Sequence, residues 1–230
     1  MEEEADVLKN VLRQFYYERK ICLPSYKIIC SLCFIVLLGL VRGISRTGEI
    51  GIVLDTSMPI LAIMFCADLY EMEYSGKRWE IFCLYSVNKR IDVLRKRLCI
   101  QIVYLWMATI AGYTCFFWQR ASGIEGISDW TFFAVSMVAT AVSIAFFGVF
   151  SVTVATAGKN SWYGMGISLL LWLMLNSKQG EKILGKFNLF AFSFRNIEAV
   201  NEMGWMCGKG VAVLLMVGML AVLPSIIKRR

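Results

Sequence analysis

Six long apolar runs set the rhythm of this chain. They cover about Ser25–Ile44, Ile50–Tyr70, Leu98–Trp118, Thr131–Ala157, Trp162–Leu175 and Gly210–Ile227. A helix of about 20 mostly apolar residues reaches across the ~30 Å hydrocarbon core of a bilayer. The pattern therefore predicts six transmembrane helices in an all-α integral membrane protein. The fourth run is long enough to be tilted or broken. The fifth is short, which suggests that it stops early or continues into a re-entrant segment.

The segments between the runs carry their own patterns. In residues 1–24, Leu8, Val11, Leu12 and Phe15 recur at helical spacing while Lys9, Arg13 and Glu18 fall elsewhere. That predicts an amphipathic helix too short to span, lying in the interface plane and stopped by Pro24. Residues 71–97 carry seven Lys or Arg. Trp79, Phe82 and Tyr85, or Ile81 and Leu84, make one apolar face; Ile91, Leu94 and Leu98 make another. Two short helices are predicted here, broken at Ser86-Val87-Asn88, with Asn88 as the N-cap of the second. Residues 176–209 place FNLFAFSF (Phe187–Phe194) after a charged turn. That run is too short to cross. It either dips into the outer leaflet and returns or lies along the outer surface.

Composition strengthens the membrane reading. Of 230 residues, 58% are hydrophobic, and the mean hydropathy is +0.61, too apolar for an ordinary soluble domain. The net charge of +7 is read through the positive-inside rule rather than as a nucleic-acid footprint. With both termini cytoplasmic, sixteen of the 24 basic residues fall inside and eight outside, Lys209 among the latter. Residues 71–97 are then the largest cytoplasmic loop. The N-terminus lacks the early apolar core of a cleavable signal peptide, so the first span is expected to serve as its own insertion signal.

Candidate chemistry is sparse. There is no His, which removes Ser–His proteolysis, His-ligated metal sites and the usual pH switch. No clustered acid, base or nucleophile is visible, so an enzyme is disfavoured. Cys30 and Cys33 form a C-x-x-C, but no second pair is visible to relay electrons; the bland reading is two thiols in a lipid-embedded helix. GEKILGKF (Gly180 to Phe187) fits G-x-x-x-x-G-K yet ends in Phe187 where a P-loop needs a hydroxyl for Mg²⁺. Asp55 and Asp68 lie within the second run. Intramembrane carboxylates are costly and usually face protein or water. Asp68, near the cytoplasmic end, is expected to snorkel; Asp55, four residues before Pro59, is the substrate-path candidate. Trp106, Trp118, Trp130, Trp162 and Trp172 are read as belt or packing residues. Gly204 and Gly208 form a G-x-x-x-G that serves a dimer or packing within the chain equally well.

Taken together, the layout resembles the transmembrane subunit of an ABC-2 type ABC transporter. The resemblance covers essentially the whole chain. Its sharpest part is residues 71–97: Glu73, Gly76, the short helix Glu80–Tyr85, the turn Ser86-Val87-Asn88-Lys89-Arg90, and Lys96. Ser86 departs from the pattern, standing where Pro is common. The resemblance implies that this stretch is a coupling helix docking on a separate ATPase subunit. Trp79, Ile81, Phe82 and Tyr85 would fill its cleft, and Lys77, Arg78, Glu80, Lys89 and Arg90 would fix orientation at the rim. It implies a permease in a bacterial plasma membrane, paired with a second permease copy or paralogue and in contact with membrane lipid. No cofactor is expected in this chain; ATP and Mg²⁺ belong to the partner ATPase, and no nucleic acid is involved. The expected function is export of an amphiphilic substrate: an antimicrobial peptide, drug or lipid-like molecule. The alternatives are a non-transporting scaffold or immunity protein, or a permease for haem and cytochrome maturation or for polysaccharide or lipid.

Overall fold

The computed structural model describes residues 18–41, 47–74, 84–118, 129–194 and 204–228. Among these every regular element is helical. A helical turn over 18–22 precedes α1 (Ser25–Val41), α2 (Thr47–Tyr74), α3 (Val87–Trp118), α4 (Asp129–Gly158) and α5 (Ser161–Leu175). The short α6 (Lys178–Leu184), a 3₁₀ turn (Gly185–Phe187) and α7 (Ala191–Phe194) follow, then α8 (Trp205–Lys228). Four helices are long and apolar enough to cross a membrane: α2, α3, α4 and α8. α1 and α5 are shorter apolar helices.

The long helices alternate in direction. Gly51 of α2 lies against Ser136 of α4, and Ile63 against Ser151, so these two run parallel. Gly112 of α3 meets Leu54 and Met58, so α3 runs against them. Lys27 of α1 meets Asp68, and Trp172 of α5 meets Thr56, which sets α1 and α5 antiparallel to α2. The end where α2, α4 and α8 begin is called the upper end below.

α2 is the central element. In its most apolar stretch 78% of residues are buried inside the protein, against 17% for α8. Its buried Ile50, Leu54, Met58, Leu61 and Phe65 pack with Leu105 and Phe116 of α3 and Ile144 of α4. α8 and α1 instead turn apolar side chains outward, among them Leu214, Leu215, Leu32 and Leu40. An outward-facing apolar helix is what a lipid surround calls for.

Several boundaries differ from the sequence reading. The third run and the helix before it are one continuous 32-residue helix, α3, about 48 Å long. Its start at Val87 puts Asn88 inside the first turn, so Asn88 does not cap it; Arg90 N–H donates instead to the Ser86 carbonyl. The reason is that Ile91, Leu94 and Leu98 continue one buried stripe into the span without a break. Pro24 does separate the 18–22 turn from α1. The proposed amphipathic face, Leu8 to Phe15, lies outside the described residues.

Candidate functional site

Asp55 stands about 12 Å from the start of α2 and is fully buried. Three other helices converge on it. Lys209 Nζ of α8 lies 2.7 Å from Oδ1 and 3.0 Å from Oδ2. Ser143 Oγ of α4 donates to Oδ1 at 2.6 Å and accepts from Lys209 Nζ at 2.6 Å. Ser193 Oγ of α7 donates to Oδ2 at 3.3 Å. The Phe190 ring centroid lies 6.0 Å from Nζ. Charge, counter-charge and hydroxyls thus form a closed network, the condition under which a buried ion pair is tolerated.

Local sequence explains how each member arrives. Lys209 reaches inward because Gly208 carries no side chain: a Cβ there would collide with the Asn188 carbonyl oxygen. The close approach thus lies within the chain and not between two copies. Gly51, one turn before Asp55, likewise lets α2 press onto Ser136. Ser193 is delivered by the return of the chain after α5. Asn188 anchors that return; its Nδ2 donates to the Leu175 carbonyl at 2.9 Å, and its Oδ1 accepts from Phe190 N at 2.9 Å. Leu189, Phe190 and Phe192 are buried. The FNLFAFSF run therefore packs into the protein rather than spreading along its surface.

Pro59 follows Asp55 by one turn and leaves the Asp55 carbonyl without its usual intrahelical donor. Beside this break, Trp172 Nε1 donates to the Thr56 carbonyl at 2.9 Å. Trp172 thus braces α2 and is not a belt residue. Trp118, Trp130 and Trp162 sit exposed at helix ends, as belt residues do. Polar groups continue around the site. Thr140 Oγ1, Tyr113 OH and Thr47 Oγ1 are buried in the upper half with no hydrogen-bond partner in the structure.

A second polar layer lies about 20 Å further along α2. Lys27 Nζ pairs with Asp68 Oδ2 at 3.0 Å and donates to the Phe65 carbonyl at 3.1 Å. Tyr26 OH also donates to Asp68, at 3.1 Å. Asp68 is therefore held by a buried Lys and does not simply snorkel. Nearby, Arg97 Nε pairs with Glu18 Oε2 at 2.6 Å, and Gln101 Nε2 donates to the Cys22 carbonyl at 3.2 Å. These contacts fasten the 18–22 turn beneath the bundle. Burial there pushes the Cys22 thiol up to about 11, with Arg97 opposing and Glu18 adding.

Of the residues predicted to dock an ATPase, Lys77, Arg78, Trp79, Glu80, Ile81 and Phe82 lie outside the described residues. Tyr85, Lys89 and Arg90 cluster at the lower start of α3: Arg90 Nε donates to the Tyr85 carbonyl at 3.0 Å, and Lys89 Nζ sits 4.8 Å from the Tyr85 ring centroid. Asp55 is the sequence candidate around which a site forms. Lys209, Ser143 and Ser193 were missed. Lys209 was assigned to the outer loop because it borders the last apolar run. The available signal was a base flanked by two glycines, opposite a span holding an acid. The G-x-x-x-x-G-K segment forms α6 and a 3₁₀ turn with Gly185 at φ 49°, not a strand–loop–helix. Cys30 and Cys33 are exposed on α1 and unpaired. No family model, curated protein or solved structure matches the chain.

Proposed function

We propose that this chain is the permease subunit of an ATP-driven exporter of ABC-2 type, moving an amphiphilic substrate across the plasma membrane by alternating access. The observation that carries the reading is the buried Asp55–Lys209 pair. A bundle held in lipid has no need of such a pair for stability, because buried ion pairs seldom outperform well-packed apolar residues. Charges kept at membrane depth mark a polar path. Its position between the central α2 and the peripheral α8 puts it where a relative movement of helices would open it.

Three further features support the reading. α3 runs unbroken from the basic loop into the bundle, a lever by which a docked ATPase would move the spans. The chain after α5 turns back into the protein before α8, as the resemblance expects of a re-entrant segment. Taken as crossing helices, α1 to α5 and α8 make six passes, with both termini and the basic loop cytoplasmic by charge bias.

The test is purification of the tagged chain from native membranes in mild detergent. A stoichiometric partner with a true P-loop is expected, lost when Phe82→Asp is introduced while membrane insertion persists. Recovery of the chain alone, under conditions that preserve other membrane complexes, contradicts the permease and favours a non-transporting scaffold.

A further inference from the structure

Resting on that reading and deepening it, we propose that Asp55, Ser143 and Ser193 form a recognition site for the primary ammonium group of a cationic amphiphile, with Lys209 as the tethered cation that the substrate displaces. The argument begins with which partner is able to leave. Asp55 has a short side chain, no exposed surface and two hydroxyls holding it. Lys209 is the fifth residue of α8, about 6 Å from the upper end of that helix. Its flexible stem is long enough to snorkel outward. Of the two partners, only the cation has the reach to leave.

That asymmetry selects the sign of the ligand. An anionic substrate would capture Lys209 and strand a buried carboxylate, at a large desolvation cost. A cationic substrate replaces one ammonium by another and leaves the site neutral throughout. The geometry selects further. Nζ meets three acceptors, both Asp55 oxygens and Ser143 Oγ, at 2.6–3.0 Å. These satisfy the three N–H donors of a primary ammonium. A quaternary ammonium has none to offer.

A cleft whose walls adjoin the site residues in sequence offers the proposed approach. It is open, about 260 Å³ in volume, and lined by Glu181, Lys186, Phe194 and Trp205, among others. Trp205 is one helical turn before Lys209 on the same face of α8, and Phe194 directly follows Ser193. The two aromatic rings offer walls for an alkyl chain whose head group enters the cradle. The unpartnered Thr140 hydroxyl, one turn above Ser143 on α4, adds polar capacity there.

The test uses the full chain in nanodiscs of zwitterionic lipid, with decylammonium, decyltrimethylammonium and decyl sulfate as matched probes. Decylammonium is expected to raise the wild-type thermal midpoint by about 5 °C near saturation, and the other two to raise it far less. Lys209→Ala, which empties the seat, is expected to bind decylammonium at least about tenfold more tightly, since the internal competitor is gone. The double variant Asp55→Asn/Lys209→Met is neutral and expected to fold; it should lose the response. A wild type and double variant that respond alike overturn the proposal, as does equal stabilisation of the wild type by all three probes. That comparison decides the matter even if Lys209→Ala does not fold. The assay contains no ATPase, so the two readings fail separately. An ammonium response without a co-purifying ATPase keeps the site and rejects the permease; an ATPase partner without the response rejects the site alone.

Discussion

Asp55 sits in a bundle of apolar helices with Lys209, Ser143 and Ser193 facing it. Asp55→Asn alone strands the Lys209 ammonium, so a loss of about 3 to 5 kcal/mol is expected. Adding Lys209→Met should recover most of it, because no charge then remains to desolvate. Thermal unfolding of the two purified variants in detergent checks this. An Asp55→Asn protein as stable as wild type would show that the pair is not buried together. Cys22 makes a different prediction. Its folded pKa lies near 11 against an ordinary 9.0, so folding favours the protonated thiol. Its contribution to stability is complete below about pH 9 and is lost as pH rises through about 11. At pH 8 about one thiol in a thousand is ionised. Cys22 should therefore resist iodoacetamide in the folded protein and react once it is unfolded, as read by peptide mass spectrometry. At this scale the sequence made Asp55 legible, because a carboxylate in an apolar run stands out. Lys209 was not legible: at the edge of a run, only a side chain's direction tells a core ammonium from a surface one, and hydropathy carries no direction.

The elements show the same division. Apolar run length placed the six apolar helices, of which four, α2, α3, α4 and α8, are long enough to cross a membrane. What run length does not reveal is where a helix continues past the membrane. α3 begins eleven residues before the third apolar run because its buried stripe extends through Ile91 and Leu94, although charged residues surround them. The return after α5 was legible as a segment too short to cross. Its burial was not, because that depends on Asn188, a single polar residue satisfying two backbone groups. Asn188→Ala leaves the Leu175 carbonyl and the Phe190 N–H without these partners, at about 1 to 3 kcal/mol. Ser193 should then lose its hold on Asp55. Expected is faster proteolysis or amide exchange over 185–194, with α4 unchanged. Uniform exchange across the chain, matching wild type, would mean that Asn188 does not anchor the return.

For the whole molecule, the two polar layers share one helix. Asp55 anchors the upper layer and Asp68 the lower, with buried Met58, Leu61, Ala62 and Phe65 between them. Lys27 ties α2 to α1, and Arg97 ties α3 to the 18–22 turn. In the proposed permease, a push on α3 from the basic loop would reach the lower layer first and the upper one through α2. The measurement that tests this account most directly is ATP turnover by the purified complex of this chain with the proposed ATPase partner, in nanodiscs, titrated with decylammonium. The account predicts that turnover rises with decylammonium in the wild type and that Asp55→Asn/Lys209→Met abolishes the rise. An equal rise in both complexes would contradict it, and would return the Asp55–Lys209 pair to a purely structural role.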